Sequence, residues 1–150
     1  MSEHLEVGAR YVVGFCFNEA RSHVLLIRKK RPTWQAGKLN GVGGKVEISE
    51  SCVSAMEREF IEETGACCLS WELFAVLEDK RGWAIWFYRA FVLSELDLVE
   101  TPATNDERLE PVFVEGVKRR DDIVENLKWL LPMALGNEKL IFEINEVERA

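Results

Sequence analysis

The segment that decides the fold is Gly44–Ala66, GKVEISESCVSAMEREFIEETGA. Its acidic residues Glu59, Glu62 and Glu63 are spaced i, i+3 and i+4, so a helix would place all three carboxylates on one face. Carboxylates this close repel one another and raise one another's pKa values, unless a cation lies among them. Because all-oxygen ligands suit hard divalent cations, the spacing predicts a Mg²⁺ site that Mn²⁺ can also occupy.

The same segment contains the other signals of an α-helix. Three apolar residues at i, i+3 and i+7 predict a face that packs on the core: Val53, Met56 and Phe60. Ser49 or Ser51 is expected to cap the N-terminus, and Gly65 is expected to end the helix as its C′ residue.

Composition limits the class of protein. A chain of 150 residues, 47% hydrophobic and 30% charged, predicts one globular domain over residues 1–150. Its net charge of −7 argues against a nucleic-acid polymer or a membrane surface as partner. A small anionic substrate remains compatible, because a bound cation reverses the local sign of the charge.

The four cysteines and the N-terminus indicate a cytoplasmic protein. Cys16, Cys52, Cys67 and Cys68 form no CxxC pair, and three of them lie among apolar residues, which predicts buried thiols in a reducing compartment. The first ten residues are too polar for a signal peptide, and no apolar run approaches 18 residues.

The rest of the chain alternates strand and helix patterns. Apolar, β-branched and aromatic runs predict six strands: Tyr11–Phe17, Val24–Arg28, Cys67–Leu77, Ala84–Leu93, Val112–Val117 and Leu140–Val147. Thr101–Glu110 is expected to be a polar loop. These strands, with a helix on each side, predict an α/β sandwich.

A second helix is predicted over Asp121–Leu135. Leu127, Leu130 and Leu131 form its apolar stripe, and Trp129 is expected to pack in the core.

Segment 44–66 resembles the Nudix box, G-x5-E-x7-R-E-U-x-E-E-x-G-U, where U is a bulky apolar residue. The matching positions are Gly44, Glu50, Arg58, Glu59, Phe60, Glu62, Glu63, Gly65 and Ala66, of which only Ala66 is smaller than usual. The stretches RKKRPTWQAGKLNGVGGK and NLKWLLPMAL are similar to the MutT-type branch and its oxidised-purine triphosphatases.

This resemblance implies the Nudix fold, an α/β/α sandwich with a mixed β-sheet and a loop–helix–loop at the box. It also implies metal-dependent hydrolysis of a nucleoside diphosphate linked to another group. The flanking stretches favour a nucleoside triphosphate, including an oxidised purine one, cleaved to a nucleoside monophosphate and pyrophosphate. Hydrolysis of ADP-ribose or a dinucleoside polyphosphate and non-catalytic nucleotide sensing are alternatives, and a monomer and a homodimer are equally compatible.

The resemblance assigns roles to the box residues. Glu59, Glu62 and Glu63 are implied to ligate the metal, with a backbone carbonyl near Gly43 as a further ligand. Arg58 is implied to orient the carboxylates by ion pairing. Glu50 is expected either to support the metal through water or to favour the helix N-terminus by its charge.

The general base has two candidate positions. Family members use either a glutamate of the box, here Glu62 or Glu63, or a glutamate on a distant loop. Glu107, in the stretch TNDERLEP, is the candidate on the loop.

Residues other than the matching positions of the box are candidates for substrate binding. Asn40 and Asn126 each offer a donor and an acceptor to a base edge, although a turn residue and a solvated helix residue are the alternatives. Trp34 is a candidate for stacking on the base. Arg28, which opens a basic run, and Lys45 are candidates for phosphate contacts, with a solvated loop and a structural ion pair as the alternatives.

Overall fold

The structure is a computed structural model that describes residues 7–67, 69–92, 106–136 and 142–146. Its strands are β1 (Arg10–Asn18), β2 (His23–Arg28), β3 (Leu39–Asn40), β4 (Val42–Lys45), β5 (Glu72–Asp79), β6 (Ala84–Val92), β7 (Arg108–Phe113) and β8 (Phe142–Glu146). Its α-helices are α1 (Cys52–Thr64) and α2 (Leu127–Ala134). None of the described helices is both long and apolar enough to cross a membrane.

The eight strands form one mixed sheet with β1 near its centre. Strand β1 pairs in parallel with β6 along one edge, and β5 pairs in parallel with β8. The other edge of β1 is shared, because its first half pairs with β4 and its end pairs with β2, both antiparallel. This sharing brings the glycines of β4 to the middle of the sheet, under α1.

Alternate side chains of the sheet supply two separate cores. Val12, Cys16 and Leu25 pack with the apolar residues of α1 on one face. Phe15, Phe17 and Leu26 pack with those of α2 on the other. Because successive strand residues point to opposite faces, the two helices cover opposite sides of the sheet. The predicted α/β/α sandwich with a mixed sheet is confirmed.

Helix α1 has the predicted ends but a different apolar face. The Ser51 hydroxyl accepts a hydrogen bond from Ser54 N at 3.2 Å, and Gly65 ends the helix with a φ of 76°. Val53 was predicted to be in the core, but it is 39% exposed. Ala55 and Met56 are fully buried, so the first turn contacts the core through them and turns Val53 outward.

Helix α2 is shorter than predicted. Leu39 N donates to Asp122 O at 2.8 Å, and Val124 N donates to Leu39 O at 2.9 Å. These backbone groups bond β3, so residues 121–126 are not helical and the helix begins at Leu127. The predicted stripe of three leucines is buried, whereas Trp129 is 41% exposed and not a core residue.

Two strand predictions and one loop prediction need new limits. The strand predicted over Val112–Val117 is β7, which ends at Phe113 and is followed by a 3-10 helix. Residues 108–110 of the predicted polar loop belong to β7, because they pair with β2. Residues 101–105 lie outside the described part of the chain. The strand predicted from Cys67 begins only at Glu72.

The cysteines differ in burial. Cys16 is buried as predicted, and burial raises the pKa of its thiol to about 12. Cys52 is half-buried and Cys67 is exposed, so neither matches the prediction of a buried thiol. Cys68 lies outside the described residues.

Arg89 of β6 ties the C-terminal end of α2 to the sheet. Its Nη1 donates to the carbonyls of Ala134 and Gly136, each at 2.8 Å, and its Nε donates to Glu72 at 2.9 Å. The last carbonyls of a helix have no partners within the helix, so a buried guanidinium that donates hydrogen bonds to them is stabilising.

Replacing this guanidinium is expected to destabilise the protein. Arg89→Leu leaves the carbonyls without donors, so the free energy of unfolding should fall by about 2–3 kcal/mol in urea denaturation. Arg119→Leu is the matched control, because Arg119 is exposed, and its effect should stay within about 0.5 kcal/mol. Equal effects of the two variants would contradict the role given to Arg89.

Candidate active site

Helix α1 places Glu59 directly over Gly44 of β4. A Cβ atom added to Gly44 would lie 2.3 Å from Oε1 of Glu59, closer than any real contact. Only glycine leaves room for this carboxylate, whose side chain is 13% exposed. The spacing between the glycine and the glutamate in the sequence therefore reflects one direct contact in the structure.

Arg58 connects the acidic residues around the start of α1. Its Nε and Nη2 donate to the two carboxylate oxygens of Glu50 at 2.8 and 2.9 Å, and its Nη1 donates to Glu59 at 2.9 Å. Nη2 also donates to the backbone carbonyl of Lys45 at 3.0 Å, and Nη1 lies 3.4 Å from Glu62. One guanidinium thus fixes the strand, the loop and the helix relative to one another.

The two best-held carboxylates have opposite pKa shifts. Hydrogen bonds from Arg58 and from the backbone N–H of Glu47 lower the pKa of Glu50 to about 2. Burial raises the pKa of Glu59, and the charges of Glu62 and Glu63 raise it further against the opposing effect of Arg58. The positive charge of a cation beside Glu59 would lower this pKa and so offset the effects of burial and of the neighbouring carboxylates.

The box carboxylates suit a hard divalent cation as ligands. Glu59 is largely buried, Glu63 is half-buried and Glu62 is exposed on the next turn. Within the described residues no three acidic, cysteine or histidine side chains converge into a finished metal cluster, and Arg58 holds Glu59 and Glu62 instead. The all-oxygen donor set and the raised pKa of Glu59 fit Mg²⁺ or Mn²⁺.

A cavity of about 420 Å³ lies beside this cluster. It is lined by residues from β1, β3, β4, β6, the segment before β3 and the segment before α2, including Tyr11, Lys29, Arg31, Trp34, Gln35, Asn40, Gly43, Gly44, Lys45, Phe87, Val124 and Asn126. Gly43, Gly44 and Lys45 line the cavity and belong to β4, the strand that contacts Glu59, so the cavity and the carboxylate site share this strand.

Two buried polar atoms of the cavity residues have no protein partner among the described residues. They are Nε1 of Trp34, a donor, and Oδ1 of Asn126, an acceptor. The amide of Asn40 is held in place, because it donates to Gln35 at 2.8 Å and accepts from Gly41 N at 2.8 Å. Buried polar atoms are normally paired, so a ligand with complementary groups fits these two positions.

The structure thus brings three predicted binding residues, Asn40, Lys45 and Asn126, to one cavity. Asn126 immediately precedes α2 and is not the solvated helix residue of the alternative interpretation. Sequence reasoning considered Trp34 for stacking and missed its indole donor. Gln35, which holds Asn40, was missed completely, and its position in a loop gives no signal in the sequence.

Arg28 and Glu107 lie elsewhere. Arg28 does not line the cavity, because its guanidinium bonds Glu110 at 2.6 and 3.0 Å, Asp122 at 3.1 Å and the carbonyl of Gly37 at 3.0 Å. Glu107 is 5% exposed and accepts hydrogen bonds from Lys29 and from the backbone N–H of Lys30. Both residues therefore stabilise the segment that follows β2.

The contact between Gly44 and Glu59 can be tested by adding one methyl group. Gly44→Ala displaces the Glu59 carboxylate, so the free energy of unfolding should fall by about 1–3 kcal/mol in urea denaturation. Adding Glu59→Ala to this variant removes the clash. The free energy of unfolding of the double variant should therefore fall by less than the sum of the decreases in the two single variants.

Gly116→Ala is the control for this substitution. A Cβ at Gly116 would meet only Phe113 at 3.8 Å, an ordinary contact, so the expected change is within about 0.5 kcal/mol. Strict additivity of Gly44→Ala and Glu59→Ala would show that the two residues do not interact as described.

Comparison with known proteins assigns the family independently of the site geometry. The family model for the NUDIX domain matches residues 8–146. No curated protein sequence matches the chain.

Solved structures share the fold at low sequence identity. A mutator MutT protein from Bacillus halodurans has a TM-score of 0.69 and 21% identity, over 91% of this chain and 89% of that one. A NUDIX hydrolase from Nitrosomonas europaea has a TM-score of 0.69 and 21% identity, over 95% and 82%. The NUDIX domain of Shewanella oneidensis NrtR, complexed with ADP ribose, has a TM-score of 0.70 and 15% identity, over 89% and 90%.

The family match spans nearly the whole chain and includes the carboxylate helix, the box glycine and the ion-pairing arginine. The protein therefore belongs to the Nudix family, and it shares its fold with solved MutT and NUDIX hydrolase structures.

Proposed function

We propose that this protein hydrolyses a nucleoside triphosphate to a nucleoside monophosphate and pyrophosphate, with Mg²⁺ as the cofactor and Mn²⁺ as a substitute. The observation that carries the proposal is the cavity of about 420 Å³ with an unpaired buried donor and acceptor, which shares β4 with the carboxylate site. Ligand pockets are typically about 300–1,000 Å³, so a nucleoside fits this volume.

In this proposal, Glu59, Glu62 and Glu63 hold the divalent cation. When bound, the cation neutralises phosphate oxygens and makes a water molecule a better nucleophile. Arg58 holds Glu59 in position through its ion pair. Lys45, on the wall shared by the cavity and the box, is placed to contact a phosphate.

The same contacts favour a box glutamate as the group that accepts the proton of the attacking water. Glu63 lies on α1 and is itself one of the three proposed metal ligands, whereas both oxygens of Glu107 already accept hydrogen bonds from Lys29 and Lys30. We therefore assign the proton acceptor to Glu63, with Glu62 as the neighbouring candidate.

The cavity favours a purine base. Oδ1 of Asn126 can accept a hydrogen bond from a base N–H, and Nε1 of Trp34 can donate to a ring nitrogen or carbonyl. A purine oxidised at C8 carries an N–H at N7, where the normal base has only an acceptor. An acceptor such as Oδ1 of Asn126 suits this altered edge, so an oxidised purine nucleotide is our preferred substrate.

A substrate screen tests the proposed reaction. Canonical and C8-oxidised nucleoside triphosphates, ADP-ribose and dinucleoside polyphosphates are compared with Mg²⁺ and with Mn²⁺, measuring phosphate and pyrophosphate release. We expect the highest kcat/KM for a purine triphosphate, with pyrophosphate as product. Preferred turnover of ADP-ribose would instead support the second class of substrate.

Glu63→Gln tests the carboxylate site with the best substrate of the screen. The neutral amide is a poorer ligand and a poorer proton acceptor, so kcat should fall at least about 100-fold. Glu57→Gln is the control, because Glu57 is an exposed residue of the same helix, and its activity should equal that of the wild type. Full activity of Glu63→Gln would exclude it from the site.

Trp34→Phe tests the recognition of the base. The variant keeps an aromatic ring but removes the indole donor, so KM for the preferred purine should rise by about tenfold, corresponding to one hydrogen bond, with kcat nearly unchanged. Trp129→Phe is the control, since Trp129 is exposed and lies outside the cavity lining. An unchanged KM would show that the indole N–H does not contact the substrate.

A further inference from the structure

Residues 29–38 form a loop that makes one wall of the cavity. Lys29 N donates to Lys38 O, and Gly37 N donates to Lys29 O, each at 2.8 Å, so the loop is closed at its base. Five of its residues line the cavity: Lys29, Arg31, Pro32, Trp34 and Gln35. Because Trp34 is among them, the position of the loop sets the position of the indole.

Only Trp34 connects the loop to the apolar core. It is partly buried and packs against the core on the α2 side, but its 3-10 turn, Thr33–Gln35, contains no fully buried residue and has no side-chain cap. A segment with few buried apolar side chains opens at low free-energy cost unless polar contacts hold it. Its placement against the cavity therefore depends also on the hydrogen bonds that reach it from other elements.

Glu107 supplies the buried anchor of this loop. Its Oε2 accepts from the backbone N–H of Lys30 at 2.6 Å, and its Oε1 accepts from Nζ of Lys29 at 3.2 Å. The pairing of Arg28 with Arg108 fixes where β7 begins, which brings Glu107 beside the start of the loop. Hydrogen bonds to an ionised group are among the strongest in proteins, and burial strengthens them.

The adjacent acidic residue makes a weaker contact with the same loop. Asp106 pairs with Arg31 at 2.8 Å, but their side chains are 55% and 65% exposed. Exposed ion pairs contribute little, because water and salt screen them. Of the two acidic residues that bond this loop, Glu107 is therefore the stronger anchor.

We propose that Glu107 is a positioning residue that holds the Trp34-bearing loop against the cavity and thereby sets the affinity for the nucleoside. The proposal rests on the function proposed above, since it assumes that the nucleoside occupies this cavity. It assigns Glu107 a role other than general base, because its carboxylate is 5% exposed, does not line the cavity and already accepts hydrogen bonds from Lys29 and Lys30.

Two substitutions of increasing severity at Glu107 distinguish a positioning role from a general base. Glu107→Gln keeps an oxygen that can accept from Lys30 N–H but loses the ion pair with Lys29, whereas Glu107→Ala loses both contacts. A positioning role predicts KM increases of about threefold for Gln and about thirtyfold for Ala, with kcat within about threefold of wild type. A general base predicts equal losses of kcat of at least about 100-fold in both variants.

The experiment measures kcat and KM for the best substrate of the screen, and kcat as a function of pH. Asp106→Asn is the matched control, and its KM should stay within about twofold of wild type because its ion pair is exposed. An unchanged pH profile in Glu107→Gln, with a raised KM, supports positioning. A collapse of kcat at constant KM, or loss of the acidic limb of the profile, overturns the proposal.

A second measurement does not depend on turnover. Amide hydrogen exchange of residues 29–38 in the free protein should accelerate in the order wild type, Gln and Ala, with the largest change at the Lys30 amide. Unchanged exchange in Glu107→Ala overturns the anchoring itself. If exchange accelerates while the wild type hydrolyses no nucleotide, the anchoring stands and the proposed function is wrong.

Discussion

The contacts of Arg58 are the interaction on which the active site depends. One guanidinium bonds the carboxylates of Glu50 and Glu59 and the carbonyl of Lys45, so it connects the loop, the helix and the strand. Without it, the like charges on α1 would repel one another and the loop between β4 and α1 would lose its main attachment. The arginine thus keeps an acidic cluster in a shape that can accept a cation.

This arrangement depends in turn on a close approach of helix and sheet. Glu59 lies so near Gly44 that any side chain at position 44 would displace it. The approach is possible because α1 packs on β1 and β4 through its small or flexible buried residues, Ala55 and Met56. The shared edge of β1 is equally necessary, since it places β4 in the middle of the sheet.

The cavity wall has a different physical basis. The carboxylate site lies on an α-helix and a central strand, whereas the wall with Trp34 lies on a loop held largely by polar contacts. Arg28 donates to the carbonyl of Gly37 near one end of this loop, and Glu107 accepts from Lys29 and Lys30 at the other end. In the function proposed above, chemistry on rigid elements and recognition on an anchored loop allow one fold to change substrate without changing its reaction.

The sequence by itself predicted the α/β/α fold, the capped glutamate helix and the family, because these depend on local spacing. The period of α1, its capping serine and its terminal glycine are all set by residues within 23 positions of one another. The same reasoning failed where backbone groups form hydrogen bonds with a distant part of the chain. The carbonyl of Asp122 and the amide of Val124 bond Leu39, so residues 121–126 do not extend α2.

The tertiary structure alone decided which polar residues face the cavity. Asn126 and Trp34 are 92 positions apart in the sequence, yet they line one cavity with an unpaired acceptor and donor. Arg28 and Glu107, which the sequence suggested as binding or catalytic residues, do not line this cavity and bond Gly37, Lys29 and Lys30 of the loop. The residue type determines which chemistry a side chain can perform. The partners of that side chain depend on packing between elements that are far apart in the chain.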